Sequence, residues 1–585
     1  MKKTILLIIL IILAPKTILG QYRLQSNVDI AQFNNIDQEK VFIHYNDNFL
    51  LSGEYLYYKM YCLNAIDHSP SKISKIGYVE LVGRNKKTVF KHKIRLNEGL
   101  GQGDFFIPGN LETGNYKLIG YTNWMRNSGV DSFFITDIVI VNPYKELPTE
   151  SNKTSANIIY HTTIDSANIN TQREDTNSIK IVLPRKIYNK RALVKLNITN
   201  QTLNQNTNLS VSVRKKYPIT TPFNNDKSIN IKKAPKNNLS KKIDETIFLP
   251  ELRGELISGK IINNTNKQVV ANQNISLSIR GTTGTTKISQ SNKNGVFYFN
   301  LDNRNRSNKI EFSLLDNQND TNQIILDTSK INTNTLKYLD IDLAHNLNKV
   351  IEKRSTYNQI ENVFFEEKLD SLIRFTSTIP IYKIYDENYN LDDFTRFNTL
   401  EETIVEIIAN VLVKKRKGQY KIQIRENNHF FIDSDDEPLC LVDNILVENS
   451  SDLFNYDVKK IQNIGISRSE YYIGPKKYQG IFSIKTKESD YTNQQNTNTS
   501  IKISLDGPIP LKEYYFQDYS KSTAANKTHI ADFRQQLLWL PNFNLKENNS
   551  IEFYTSDNTG TFEIAVEGFS LNGDAISLKE YIYIE

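Results

Sequence analysis

Val41-Phe42-Ile43-His44-Tyr45 and, after a short turn, Tyr55-Leu56-Tyr57-Tyr58-Lys59-Met60-Tyr61 alternate bulky apolar side chains with polar or amphipathic ones. Side chains along a strand point to opposite faces in turn, so such runs predict strands with one face on a core. Gly77-Tyr78-Val79-Glu80-Leu81-Val82 and Tyr116-Lys117-Leu118-Ile119-Gly120-Tyr121 repeat the pattern, with Gly, Pro and Asn clusters between them. Phe105-Phe106-Ile107-Pro108 to Tyr116 reads as a strand, a turn and the next strand. That rhythm predicts an antiparallel β-sandwich ending near Pro143.

Outward from this stretch, Tyr144 to Asn177 is rich in Asn, Thr and Ser and reads as a linker. Alternation resumes from Ile179 to Lys215 and closes on Leu209-Ser210-Val211-Ser212-Val213-Arg214. Thr220 to Lys242 is polar and basic again. Leu249-Pro250-Glu251-Leu252-Arg253-Gly254 opens a further β unit, in which Asn294-Gly295 between alternating residues predicts a hairpin. Helical periodicity appears near Ser355 to Phe375 and again from Thr399 to Val413. There Thr399 and Glu402 have the spacing of a capping box.

The chain starts with Met1-Lys2-Lys3-Thr4, an apolar run from Ile5 to Ala14, and Gly20 before Gln21. This is the pattern of a secretory signal peptide over residues 1–20, too short to span a bilayer, and no cysteine follows it to accept a lipid. It predicts an exported protein, periplasmic or associated with the outer membrane. The 72 basic and 65 acidic residues give a net charge of +7 without a basic stripe, which argues against a nucleic-acid partner. Cys62 and Cys440 are the only cysteines, and their apolar surroundings predict buried free thiols.

Glu39-Lys40-Val41-Phe42-Ile43-His44 with Leu51-Ser52-Gly53-Glu54, and Gly114-Asn115-Tyr116 through Trp124-Met125-Arg126-Asn127, resemble the macroglobulin-type (MG2) domain of α2-macroglobulin-like proteins in the form seen in Bacteroidetes envelope proteins. The 249–345 region is similar to a carboxypeptidase-regulatory-like sandwich. Tyr420 to Ile424, Pro438 to Val447, Leu453 to Lys459 and Tyr478 to Lys487 resemble the plug domain of TonB-dependent receptors, with Asp443-Asn444 where that family has Asp-Gly. The residues after Lys487 are too few for a receptor barrel, so the resemblance implies a plug without one. Asp532 to Gly568 again resembles a macroglobulin domain.

The fold expected is therefore mainly β, with serial antiparallel β-sandwich (macroglobulin- or immunoglobulin-like) domains plus a small α+β plug-like domain. The expected division is 21–143 first sandwich, 144–177 linker, 178–248 second sandwich with its polar linker, 249–345 third sandwich, 346–394 connector, 395–490 plug-like insertion and 491–585 last sandwich.

Chemical motifs are few. Neither cysteine lies in the Gly-Cys-Gly-Glu-Gln context of the family's thioester, so no covalent protease target is expected. Histidines 44, 68, 92, 161, 345, 429 and 529 form no close pair for zinc. Cys440 with His429 is an imaginable nucleophile and base, set against ordinary strand core. Asp433-Ser434-Asp435-Asp436-Glu437 is an imaginable calcium loop, set against a solvated turn. Trp124, Phe133, Phe134 and the tyrosines at 55 to 61 are either an aromatic groove or core. No residue is assigned a catalytic, metal or cofactor role and no cofactor is expected. The implied function is non-catalytic binding or scaffolding with an outer-membrane or periplasmic protein, which would also provide any peripheral membrane association. The alternative is a thioester-less, protease-interacting protein with bait at 144–177 or 488–500.

Overall fold

The opening pair of runs becomes β1 (Glu39–Tyr45) and β3 (Tyr55–Asn64), antiparallel, with β6 (Leu100–Phe106) on the other side of β3. The facing sheet has the order β2 (Phe49–Leu51), β8 (Phe134–Val141), β7 (Gly114–Thr122), β4 (Ile76–Gly83), β5 (Thr88–Arg95). Ile43, Leu56 and Met60 from the first sheet meet Val79, Leu118 and Ile138 from the second in one core. Each such side chain contributes about 1.5–3 kcal/mol by leaving water, and both cysteines are free and buried, so packing and not cross-linking holds this sandwich. In this computed structural model the described residues are 36–145, 158–160, 179–200, 207–219, 247–281, 284–301, 309–316, 321–327, 330–373, 384–426, 437–489, 491, 499–520, 530–545 and 549–585.

The chain divides into two units. One contains Gln32–Gly254, Lys330–Arg374 and Pro508–Glu585; the other contains Glu255–Ser329 and Phe375–Gly507. In the first unit a second sandwich stands beside the first. One of its sheets joins Ile179–Val182, Leu193–Asn200 and Ser550–Tyr554. The other runs Ile187–Tyr188, Ala575–Ile584, Gly560–Ser570, Thr207–Lys215, Gln536–Phe543. The division into 178–248 and 491–585 is thereby corrected: the two stretches build a single sandwich. The reason is burial on both edges. Leu209, Val211 and Val213 are fully buried, and the strand carrying them pairs with Gly560–Ser570 on one side and Gln536–Phe543 on the other.

Leu249 to Leu252 also differs from expectation. Instead of opening the third β unit, it straps the first sandwich: Lys75 N–H donates to Glu251 O, Asn123 Nδ2 to Leu249 O, and Tyr78 Oη to Glu251 Oε1 at 3.0 Å. This strap covers the face on which Glu80 is buried with Tyr121 and Lys91. The strand proper begins at Glu255.

In the second unit, Glu255–Asn263 lies between Val296–Leu301 and Asn322–Leu326. The facing sheet is Thr286–Gln290, Asn274–Ile279, Lys309–Leu315 and Ser500–Ser504, so Ser500–Ser504 belongs here and not to the last sandwich. Gly295 does adopt φ +72° in a turn closed by its N–H to Asn292 O. The strands that turn joins enter different sheets, however, so the expected hairpin is a sheet-to-sheet crossing. Beyond this sandwich a five-stranded sheet runs Glu387–Asn390, Ile461–Ile473, Lys476–Thr486, Leu439–Val442, Ile445–Leu446. Asp443 and Asn444, at φ +50° and +67°, form its tight turn as expected of turn formers. The Asp443 carboxylate accepts from Thr486 N at 2.9 Å and Thr486 Oγ1 at 2.6 Å, tying the turn to the neighbouring strand's end.

α1 spans Asn348–Val363 and α2 spans Leu400–Ile407. The Thr399–Glu402 capping box is present in both directions. α2 stops short of the expected Val413: Asn410 turns to φ +61° and Val411–Arg416 leaves as a strand paired with Gln419–Ile424. β-branched Val411 and Val413 favour that outcome.

Candidate functional site

Leu51-Ser52-Gly53-Glu54 forms the turn between β2 and β3. Gly53 has φ +90°, and a Cβ there would lie 2.9 Å from Asn358 Nδ2 on α1, so the position needs glycine for its backbone and for the close approach of the helix. Glu54 follows, and α1 lays Arg354 on it. Arg354, 1% exposed, donates to Glu54 through Nε at 2.6 Å and Nη2 at 2.7 Å, and to Phe49 O at 2.8 Å. Arg214, from an inner strand of the second sandwich, Thr207–Lys215, reaches Glu54 at 2.9 Å and Asp47 at 3.0 Å. Burial opposes a charge on Glu54, but the two guanidiniums outweigh it and hold its carboxyl below the usual range. Two carboxylates and two guanidiniums thus lock both sandwiches and α1 together.

Next to this node is a cleft of about 140 Å³ lined by Tyr55, Tyr57, Glu361, Asp370 and Tyr515. Its charges are also engaged: Lys368 with Glu361 at 2.5 Å, and Lys512 with Asp370 at 3.6 Å. Burial pushes the carboxyls of Glu361 and Asp370 upward.

The sandwich-to-sandwich contact continues through His44. Its Nδ1 is 2.6 Å from Ser210 Oγ, and Tyr61 Oη donates to the same oxygen at 2.9 Å. Trp539 packs on His44 and Tyr57, with centroids 5.1 and 5.9 Å away. Burial lowers His44 to about 3, with Lys579 adding to it, so the imidazole is neutral. Burial also lowers Lys59 to about 7 and raises Glu567 to about 7.

A larger cleft, about 790 Å³, opens at the end of the first sandwich between Gly83–Thr88, Asn110–Gly114 and Leu339–Ile341. Pockets of roughly 300–1,000 Å³ are the usual size for specific ligands. Arg84 is paired with Asp340, and Glu112 with Lys145 at 2.5 Å.

Of the residues singled out in the sequence, Trp124 is fully buried, its indole N–H donating to Asp37 O at 3.1 Å, and Phe133 is core; both fall on the packing side of the two readings. Tyr55 and Tyr57 are half-buried at the small cleft. Burial pushes both cysteine thiols up, Cys62 with help from Glu39 and Cys440 from Glu437. His429, Asp433 to Asp436 and residues 1–20 lie outside the described residues, so the imagined dyad and calcium loop are not brought together here. Among the described residues no group of three His, Cys, Asp or Glu side chains is placed to hold a metal, and no helix is long and apolar enough to cross a membrane. Sequence reading missed Arg354 and the larger cleft, and gave Glu54 and Arg214 no role although both stand in quoted runs; of the small cleft it raised only the tyrosines, as an aromatic groove.

No family model matches the chain, and no curated protein does. Solved structures similar to it include a mutant Salmonella alpha-2-macroglobulin (8% identity, 93% of this chain and 39% of that one, TM-score 0.22). Escherichia coli alpha-2-macroglobulin activated by porcine elastase gives 8% identity, 94% and 44% coverage and a TM-score of 0.22. The trypsin-activated Escherichia coli protein gives 8%, 93%, 41% and 0.23. The chain spans 39% of the length of the first of these. No residue here takes a role from that likeness.

Proposed function

We propose that this chain is an exported, non-catalytic binding or scaffold protein of a Bacteroidetes-type envelope, engaging an outer-membrane or periplasmic protein. The observation that carries the reading is how the buried charges are used. Glu54, Arg354, Arg214 and Asp47 saturate one another across three elements and fix a frame, while an open cleft remains at the loop end of the first sandwich. A rigid frame that positions loops for contact is the arrangement binding modules use. The turn at Asp443-Asn444 and the strand, turn, strand, short helix, strand order around it support the plug-like resemblance, and the sandwich before it supports the carboxypeptidase-regulatory-like one. Affinity capture of the tagged protein from membranes in mild detergent tests the reading: a stoichiometric envelope protein is expected, and recovery of the chain alone would overturn it.

One observation favours the alternative. Ile158–Tyr160, inside the 144–177 stretch, pairs in parallel with Ile341–Leu343 just before α1. A thioester-less protease-interacting protein could couple a cut in that stretch to the Arg354 node. Limited proteolysis decides between them: a single cleavage that changes tryptophan emission supports the alternative, and cleavage without change supports a simple linker.

A further inference from the structure

The cleft at the end of the first sandwich has its polar groups unequally used. Arg84 and Glu112 are paired with Asp340 and Lys145. Asn115, 3% exposed and part of the lining, receives Leu339 N–H on Oδ1 at 3.4 Å, which leaves Nδ2 as the donor. That nitrogen is buried without a hydrogen-bond partner among the described residues. A buried donor left unpaired costs about 1–3 kcal/mol, a penalty a ligand acceptor removes. The ammonium of Lys87, on the same rim, has no acidic partner among the described residues. Beside Asn115, a Cβ added at Gly114 would meet nothing within 4 Å, so the space is open. Leu111, Val89 and Leu339 give the cleft apolar walls.

We propose that this cleft binds a peptide segment bearing a carboxylate between apolar side chains, the carboxylate taken by Asn115 Nδ2 and Lys87. The unspent donor and the unspent cation both call for an acceptor with negative charge, and the volume and apolar walls exceed what a lone anion would use. This rests on the binding role proposed above and names its ligand class.

The test is fluorescence anisotropy with the full chain and labelled pentapeptides of valine and leucine around one central residue. The central residue is aspartate, asparagine or lysine, with capped ends, and a fourth peptide has central asparagine and a free C-terminus. The aspartate peptide, the free C-terminus or both should bind at least about 10-fold more tightly than the lysine peptide. The two carboxylate arms distinguish a side chain from a chain end. Asn115→Asp, which puts a carboxylate where the donor was, and Lys87→Glu should each weaken that binding about 10-fold, with tryptophan emission unchanged. Equal binding of the aspartate, free-C-terminus and lysine peptides would overturn the proposal. So would unaltered affinity in folded Asn115→Asp; if that variant does not fold, unaltered affinity in Lys87→Glu does the same. Recovery of an envelope partner alongside failed peptide binding would sink this inference and leave the binding role standing.

Discussion

Replacing Arg354 with Met keeps most of the side-chain volume and removes the charge from the node. The substitution deletes two hydrogen bonds to Glu54, one to Phe49 O and a 3.3 Å contact with Asp47. Removing one partner of a buried ion pair costs about 3–5 kcal/mol. Arg214 still serves Glu54 at 2.9 Å, and Leu51 N–H still donates to it at 3.2 Å, so the lower end, about 3 kcal/mol, applies. The assay follows from composition: Trp124 and Trp539 are the only tryptophans and both lie in the unit that contains the node, so emission reports its unfolding alone. With a urea slope of about 2–3 kcal/mol per molar, the midpoint should fall by about 1 M. Glu54→Gln alone should destabilise as well, and the double variant should cost clearly less than the sum, because the second change removes a buried charge that has already lost one of its two guanidiniums. A midpoint shift below about 0.2 M, or strict additivity of the pair, would refute the node as the lock between α1 and the sandwiches.

Gly53→Ala should cost at least about 1 kcal/mol in the same assay, from the left-handed backbone alone. Adding Asn358→Ala should relieve the 2.9 Å contact without restoring stability; full restoration would mean that crowding, not φ, sets the cost. Stability of this unit should pass through a trough near pH 7. Glu567, raised to about 7, stabilises when protonated, so its contribution is complete below the unfolded value near 4.5 and is lost as pH rises through 7. Lys59, lowered to about 7, carries a penalty below 7 that disappears as pH rises toward 10.5, so stability climbs on that side. Each limb should amount to about 1 kcal/mol at pH 5.5 or 8.5. Lys59→Met should flatten the alkaline limb and Glu567→Gln the acidic one; limbs unchanged in these variants would contradict the burial argument. Both thiols should resist iodoacetamide until urea unfolds their units, since each is buried with its thiol pushed up; labelling of Cys440 in the native chain would show that its pocket opens.

The antiparallel sandwich class was legible because period-2 alternation is a local property of the sequence at Glu39–Tyr45 and Tyr55–Asn64, although Tyr58 to Leu63 are buried on both faces because the second sandwich covers the outer one through contacts such as Tyr61 Oη to Ser210 Oγ. The Thr399 cap and the Asp443-Asn444 turn were legible for the same reason. The pairing of Thr207–Lys215 with Gly560–Ser570 was not, since nothing within either strand specifies a partner so distant in the chain. α1 escaped its true bounds because its inner face is polar: Arg354, Ser355 and Asn358 recur with Ile351 at helical spacing, and a search for apolar periodicity passes over them. Arg354 is conspicuous only once Glu54 and Arg214 are known to meet it.

The interleaved strands also constrain how the molecule comes into being. Thr207–Lys215 exposes both edges until Gln536–Phe543 and Gly560–Ser570 exist, and the second unit's residues lie between them in the chain. Sandwiches closed by such distant pairings fold slowly, and their open edges invite association meanwhile. A fragment ending at residue 254 therefore keeps the first sandwich and its strap, Leu249 to Leu252, but leaves Leu209, Val211 and Val213 without their partners. That fragment should aggregate unless the strand is removed as well. Adding 508–585 as a separate chain should rescue it, with recovery of the Trp539 emission that marks the contact with His44 and Tyr57. A soluble, monomeric 32–254 fragment would show that the second sandwich does not depend on its distant strands.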